Sequence, residues 1–162
     1  MTDARPNMKA VTITPVDAPL YGHVAPPGSK SITNRALLLA ALAEGTSRIT
    51  GALKSLDTKL MAEALRAMGV TVDEPDATSF VVTSTGRLMP PAGPLYLGNA
   101  GTAMRFLTAA VTLVEGTVVV DGDEHMRKRP IGPLVAALKS VGIDCADQGG
   151  YPPVTVHGTG RF

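Results

Sequence analysis

The second half of this chain repeats the first at a nearly constant spacing. Four matched pairs of segments, in the same order in both halves, carry the repeat: 28–35 with 98–105, 44–46 with 115–117, 65–70 with 138–143, and 85–86 with 159–160. The spacing drifts only from 70 to 74 residues. Such slow drift with small insertions is typical of a duplicated structural unit. The chain is therefore predicted to contain two copies of one supersecondary unit.

Each copy is predicted to run turn, helix, strand, helix, strand, strand. In the first copy, apolar residues at 56, 60, 64 and 68 form one stripe of a helix over 56–68, and Gly69 follows as a stop. Strands are predicted over 47–50, 70–72 and 80–83. Linked copies of this kind predict an α/β fold with helices buried between sheets.

Upstream of the first helix, the alternating pattern over 11–14 predicts a short strand that ends at Pro15, and 20–24 is a candidate second extended piece. The predicted organisation is thus a tail with a first strand over 1–19, repeat unit one over 20–94 and repeat unit two over 95–162.

The turn that opens the first unit, Pro27 to Arg35, has the residue types of an anion site. Pro27 and Gly28 break the chain, and Ser29 or Ser31 can cap the helix that follows. A helix N-terminus offers free N–H groups and a positive dipole end to an anion. Lys30 adds a cation there, and Arg35 shares a helix face with Ser31 at i+4. These three side chains could bind one phosphate or carboxylate.

That turn has two other interpretations. A lysine and a serine before a helix are often only a solvated cap. A nucleotide P-loop needs glycine directly before the lysine. Here Ser29 precedes Lys30, so the P-loop interpretation fails.

The matching turn of the second unit, Leu97 to Arg105, is rich in small residues. They let a ligand approach the backbone closely, and Asn99 and Thr102 can form hydrogen bonds with it. Arg105 repeats the position of Arg35, and either a ligand contact or a structural pairing fits it.

A third cluster of charged residues precedes the last predicted helix. Pro130 suits the first position of that helix, so Arg129 is expected at another helix N-terminus. His125, Arg127 and Lys128 fit a solvated surface. The possible proton carriers are Asp57, Asp123 and Glu124, and none has a second catalytic group at a recognisable spacing. No general base is therefore assigned.

Composition excludes several classes of protein. The 162 residues fit one domain, and a net charge of +1 argues against a nucleic-acid binder that relies on bulk electrostatics. The single cysteine, Cys145, cannot form an internal disulfide or a cysteine-based metal site, and a buried place in the core of a protein from a reducing compartment is expected. No stretch has the length of a membrane span, and the polar tail over 1–9 lacks the apolar segment of a signal peptide. A cytoplasmic protein is predicted.

Taken together, the three motifs resemble the EPSP synthase family. They are, in order, Pro-Gly-Ser-Lys-Ser-Ile-Thr-Asn-Arg at 27–35, Gly-Asn-Ala-Gly-Thr-Ala-Met-Arg at 98–105 and Arg-Pro-Ile-Gly at 129–132. The resemblance implies the enolpyruvyl transferase fold, an inside-out α/β barrel with two lobes of three βαβαββ units each. It also implies transfer of the enolpyruvyl group of phosphoenolpyruvate to the 5-hydroxyl of 3-phosphoshikimate in chorismate and aromatic amino acid biosynthesis. The family uses no metal or organic cofactor.

The resemblance also implies roles for the matching residues. Lys30 would contact both substrates, and Ser31 and Arg35 would hold the shikimate portion. The phosphoenolpyruvate side, where the inhibitor glyphosate also binds in this family, would be lined by Asn99, Gly101 and Arg129. Two anionic substrates in one cleft need cations and helix N-termini to offset their mutual repulsion.

Two departures from the family pattern matter. The best-known members carry proline directly after the arginine of the second motif, where this chain has Phe106. The chain also contains only two units of one lobe, so the third unit and the second lobe are expected partners, and the chain alone is predicted to be inactive. The alternatives are a relative of UDP-N-acetylglucosamine enolpyruvyl transferase, whose motif normally has Lys-Asn in place of Lys30-Ser31, and a non-catalytic sugar-phosphate-binding module.

Overall fold

A computed structural model describes residues 10–161 of the chain. It contains four α-helices and seven β-strands in the order α1 (Lys30–Leu42), β1 (Glu44–Ile49), α2 (Leu56–Ala67), β2 (Thr71–Asp76), β3 (Ser79–Thr85), β4 (Leu95–Tyr96), α3 (Gly101–Ala110), β5 (Glu115–Asp121), α4 (Gly132–Ser140), β6 (Asp144–Ala146) and β7 (Val154–Thr159). Short 3₁₀ turns follow α3 and precede α4.

The two sheets share one topology. Their strand orders are β1-β3-β2 and β4-β5-β7-β6, so the order first, third, second occurs in both halves. The antiparallel pairs also share their register, because Glu44 lies opposite Thr85 and Glu115 lies opposite Thr159. The second sheet has one additional strand, β4, which pairs in parallel with β5. The unit boundaries 20–94 and 95–162 stay a prediction.

Glycine is required where each second helix turns into its strand. Gly69 after α2 has φ +85° and Gly142 after α4 has φ +88°. Side chains rarely adopt these angles, and glycine does so without steric cost. The predicted stop at Gly69 is confirmed.

The helices pack between the sheets. α1 contacts β3 and α3 contacts β5, while α1, α2 and α3 contact one another. Their inner faces supply fully buried side chains, among them Leu37, Met61, Leu65, Met104 and Leu107. Cys145 is also buried, as predicted, and burial raises the pKa of its thiol. The α/β class predicted from the repeat is confirmed.

The strand predicted over 11–14 was wrong. Residues 10–29 contain no strand, and Val11 and Leu20 are exposed. The candidate extended piece over 20–24 therefore pairs in no sheet. A strand needs a partner for its backbone groups, and no described strand runs beside this segment. The strand predicted at 47–50 begins earlier, at Glu44. The tail over 1–9 lies outside the described residues.

The predicted start of α4 was also wrong. The helix begins at Gly132, with Ile131 as its N-cap and Pro133 in its first turn, so Pro130 lies before it. The backbone N–H groups of Ile131 and Gly132 both donate to the carbonyl oxygen of Gly150. The Gly150 carbonyl thus accepts from N–H groups that have no acceptor within the helix at its first turn.

Candidate functional site

The N-terminus of α1 is built by close contact with the segment that precedes α2. A side chain at Gly28 would put its Cβ 2.3 Å from the carbonyl oxygen of Gly51, so only glycine fits. The hydroxyl of Thr33 accepts a hydrogen bond from the Leu53 N–H at 3.0 Å. Ser29 is the N-cap, and its hydroxyl accepts from the Ile32 N–H at 3.4 Å. These contacts hold the first turn of α1 in place.

Lys30, Ser31 and Arg35 lie along this end of α1. The Arg35 Nη1 donates to the carbonyl oxygen of Ser31 at 2.9 Å and also to its hydroxyl. The predicted shared face of Ser31 and Arg35 is therefore present. The Lys30 Nζ forms an ion pair with Asp57 Oδ2 at 3.0 Å. About half of the Lys30 side chain is exposed, which leaves its ammonium accessible to an anion.

Asn99, Gly101 and Arg129 meet at the start of α3. The Arg129 Nη1 donates to the side-chain oxygen of Asn99 at 3.1 Å and to its carbonyl oxygen at 3.3 Å. A Cβ at Gly101 would lie 2.6 Å from the Arg129 guanidinium, so that group lies directly against the first residue of α3. This arrangement places a cation at a second helix N-terminus.

The two groups of residues are linked through Phe106. The guanidinium carbon of Arg35 lies 4.9 Å from the centre of the Phe106 ring, within the range of a cation–π contact. Phe106 lies on α3, five residues after Gly101. Within residues 10–161, no hydrogen bond or ion pair joins Lys30, Ser31 or Arg35 directly to Asn99, Gly101 or Arg129. The helix pair α1–α3 thus holds the two groups side by side.

Arg105 has a structural place. Its Nη2 donates to the carbonyl oxygen of Pro130 at 3.0 Å, and its Nη1 donates to that of Gly101 at 3.3 Å. These bonds tie α3 to the segment before α4. Although Arg105 repeats the sequence position of Arg35, its guanidinium is occupied by backbone acceptors.

Two of the possible proton carriers serve other contacts. Asp123 Oδ1 accepts from the backbone N–H groups of His125 and Met126, which makes it the cap of a turn. Glu124 is exposed and lies 3.6 Å from the His125 Nε2, and this histidine is a surface residue, as predicted.

Nearby, Arg127 pairs with Asp121 and, mainly through this hydrogen bond, lowers the pKa of that carboxyl. Arg127 was predicted to belong to a solvated face, and the structure adds this partner.

The contact between Asp57 and Lys30 was missed by the sequence analysis. The sequence did contain a signal that places Asp57 in the first turn of α2, because Ser55 and Thr58 form a capping box at the N-terminus of that helix. The partner of Asp57 could not be derived in this way, because it depends on how α1 and α2 pack. Asp57 is thus the carboxylate that the structure adds to the site.

No group of three or more potential metal ligands occurs in the part of the chain that the structure describes. Over the same residues, no helix has the length and apolar character needed to cross a membrane.

Comparison with known proteins gives a consistent match. The family model of EPSP synthase (3-phosphoshikimate 1-carboxyvinyltransferase) matches residues 15–161. A 3-phosphoshikimate 1-carboxyvinyltransferase of Rhizobium etli (strain CIAT 652) is 73% identical over 152 residues, which cover 94% of this chain and 36% of that protein. Its counterpart from Pseudomonas syringae pv. syringae (strain B728a) is 65% identical over 150 residues, covering 93% and 36%.

A solved structure agrees with these sequence matches. The EPSP synthase from Acinetobacter baumannii superposes with a TM-score of 0.78 at 34% identity, covering 82% of this chain and 31% of that one. This chain therefore spans about a third of the length of the curated relatives it matches.

Proposed function

Because the chain belongs to the EPSP synthase family and has its α/β fold, we propose that it forms the N-terminal part of an enzyme that joins phosphoenolpyruvate to 3-phosphoshikimate. The enolpyruvyl carbon forms a bond to the 5-oxygen of 3-phosphoshikimate, and its bond to the phosphate oxygen breaks. The proton of the 5-hydroxyl leaves with the phosphate, so the reaction balances. The product would serve chorismate and aromatic amino acid biosynthesis.

The observation that carries this proposal is the pair of cationic helix N-termini. Lys30 and Arg35 lie at the start of α1, and the guanidinium of Arg129 lies at the start of α3. Each terminus adds free N–H groups and a positive dipole end to these charges. Two neighbouring anion sites match a reaction that brings two anionic substrates together.

The proposed roles follow from these positions. Ser31 and Arg35 bind the shikimate portion of 3-phosphoshikimate, and Lys30 contacts both substrates where they meet. Asn99, Gly101 and Arg129 bind phosphoenolpyruvate at the start of α3. A guanidinium suits this task because two parallel N–H groups match the two oxygens of a carboxylate or phosphate.

Catalysis is proposed to need the remainder of the enzyme. Among the described residues, Asp57 is the carboxylate that contacts one of the proposed substrate-binding residues. That residue is Lys30, and the ion pair between them balances the charge of Asp57. Addition to phosphoenolpyruvate requires a proton donor. The third unit and the second lobe are the proposed partners that supply this group and close the site. We also propose a cytoplasmic location, and units over 20–94 and 95–162 as two copies of the family's repeat.

A chimera tests the proposal. In it, this chain replaces the matching third of the Rhizobium etli protein, so that the rest of a complete enzyme is present. Phosphate release is measured with phosphoenolpyruvate and either 3-phosphoshikimate or UDP-N-acetylglucosamine. We expect turnover of about 1 per second or more with 3-phosphoshikimate alone, and none from the 162-residue chain without its partners.

Each alternative predicts another result. Turnover with UDP-N-acetylglucosamine would favour the other enolpyruvyl transferase. Binding of 3-phosphoshikimate without turnover by the chimera would favour a non-catalytic sugar-phosphate-binding module. Turnover by the 162-residue chain alone would show that its site is complete and contradict the proposed need for partners.

A further inference from the structure

The contact between Arg35 and Phe106 joins the two repeat units at the proposed shikimate site. Phe106 lies within α3, and its half-buried side chain packs against the hydrophobic core. Arg35 is exposed on α1, and its guanidinium carbon lies 4.9 Å from the centre of the ring. The ring is therefore the fixed member of the pair, and the arginine is the member whose orientation it can restrict.

Arg35 is held at two points and keeps donors free. Its Nη1 donates to the carbonyl oxygen and hydroxyl of Ser31, and its guanidinium carbon lies over the Phe106 ring. Within residues 10–161, its Nε and Nη2 donate to no side chain or carbonyl, and no carboxylate pairs with it. A planar guanidinium that is held at one nitrogen and also lies over a ring has fewer orientations available for its remaining N–H groups. That is the arrangement needed for bidentate binding of an anion.

The two units differ in the residue that follows the equivalent arginines, and this difference produces the contact between Arg35 and Phe106. The residue after Arg35 is Ala36, whereas the residue after its counterpart Arg105 is Phe106. Arg105 is held by the carbonyl oxygens of Gly101 and Pro130. The large side chain thus occurs in the second unit and contacts the arginine of the first. The two equivalent arginines therefore differ in role. Arg105 is bound to backbone carbonyls, whereas Arg35 keeps N–H groups available for a ligand.

We infer that Phe106 is a positioning residue that orients Arg35 and thereby raises the affinity for 3-phosphoshikimate, an inference that rests on the proposed function. The ring acts through its electron-rich face, which attracts the cation. An aliphatic side chain of similar volume would keep the packing against the core and lose this attraction. The effect should appear for the substrate bound by Arg35 and not for phosphoenolpyruvate, which lies at Arg129.

Phe106→Leu and Phe106→Tyr in the chimera separate orientation from packing. An exposed cation–π contact corresponds to about a two- to fivefold change in affinity. We expect Phe106→Leu to raise the KM and Kd for 3-phosphoshikimate by this factor, with the KM for phosphoenolpyruvate and kcat unchanged. Phe106→Tyr keeps the aromatic face and should retain the parent values. In an Arg35→Ala background, Phe106→Leu should have no further effect, because the group that it orients is gone.

Three results would overturn the inference while the proposed function stands. The first is an equal change in KM for both substrates, and the second is the same loss of 3-phosphoshikimate affinity in Phe106→Tyr as in Phe106→Leu. The third is an effect of Phe106→Leu that is as large in the Arg35→Ala background as in the parent chimera. Failure of the parent chimera to bind 3-phosphoshikimate is a different result, because it overturns the proposed function and this inference with it. Thermal unfolding of each variant is measured in parallel. A loss of affinity that simply follows a loss of stability in the leucine and tyrosine variants alike would also contradict the inference.

Discussion

The Nζ of Lys30 lies 3.0 Å from the Oδ2 of Asp57, so the first residue of α1 is paired with the second residue of α2. Both side chains are partly exposed. An ion pair in contact with water contributes little to stability, and a bound anion can compete for the lysine. Lys30 is therefore held near the α1 N-terminus with its side chain still in contact with water.

Lys30→Ala should weaken binding of 3-phosphoshikimate far more than Arg105→Ala. A hydrogen bond to a charged group contributes about 1.5–3 kcal/mol, which corresponds to roughly a tenfold to hundredfold loss of affinity. Arg105 donates to backbone carbonyls instead, so its removal should affect unfolding more than binding. Calorimetric titration of the two chimera variants measures this difference. Equal and small losses of affinity would indicate that Lys30 is only part of a solvated cap.

Gly101→Ala should displace Arg129 and weaken phosphoenolpyruvate binding. The added methyl group would lie 2.6–2.7 Å from three guanidinium atoms of Arg129, closer than nonbonded atoms approach. The arginine can move, but its contact with Asn99 would be lost, and we expect the KM for phosphoenolpyruvate to rise about tenfold. Gly93→Ala is the matched control, because a Cβ there meets nothing within 4 Å. A KM that changes equally in both variants would contradict the prediction.

Glu74 should stabilise the first unit in a pH-dependent way. Hydrogen bonds from Lys54, at 2.8 Å, and then from Arg66, at 3.0 Å, lower the pKa of its carboxyl from an ordinary value of 4.5. A carboxyl whose pKa is lower in the folded than in the unfolded state stabilises the folded protein. Its contribution is complete at a pH above the unfolded-state pKa and is lost as the pH falls through the folded-state pKa.

In urea unfolding at pH 7, the free energy of unfolding of Glu74→Gln should therefore be lower than that of the parent protein by up to about 1 kcal/mol. The loss is small because the ion pairs of Glu74 are partly exposed. This difference in the free energy of unfolding should shrink as the pH is lowered below 4.5. Glu63→Gln is the control, since its carboxylate lies 3.9 Å from the nearest lysine nitrogen. A deficit that stays constant from pH 7 to pH 3 would exclude the ionised network as its cause.

The outer face of α1 should make the isolated chain associate. Leu39 is 68% exposed, and with Arg35, Leu38 and Phe106 it lines a shallow, mostly apolar cavity of about 290 Å³. Apolar patches of this kind favour association when nothing covers them. In sedimentation experiments, Leu39→Gln should reduce the association of the 162-residue chain. Val141→Gln is the control, because it alters an exposed apolar residue at the C-terminal end of α4. An equal reduction of association in both variants would show that the outer face of α1 is not responsible.

Much of this architecture follows from local signals. The spaced repeat predicts two units of one fold, and the structure contains two sheets in which the strand order first, third, second occurs, with one additional strand in the second sheet. Ser29, one of the two serines that the motif offered as a cap, caps α1, and Gly69 follows α2 as predicted. Capping and left-handed turns depend on residues a few positions apart, so their signals are present in the sequence itself.

The side-chain partners at the site, by contrast, are decided by the tertiary structure. Asp57 was one of three candidate proton carriers in the sequence, and only the packing of α1 against α2 brings it to Lys30. In the same way, the packing of α1 against α3 brings Phe106 to Arg35.

The strand predicted at 11–14 shows the same limit, because its alternating pattern was present but no strand within residues 10–161 pairs with it. The sequence alone therefore determined the repeated units and their cationic turns, since these arise between near neighbours. The tertiary structure decided which side chains and strands meet, because that depends on groups far apart in the chain.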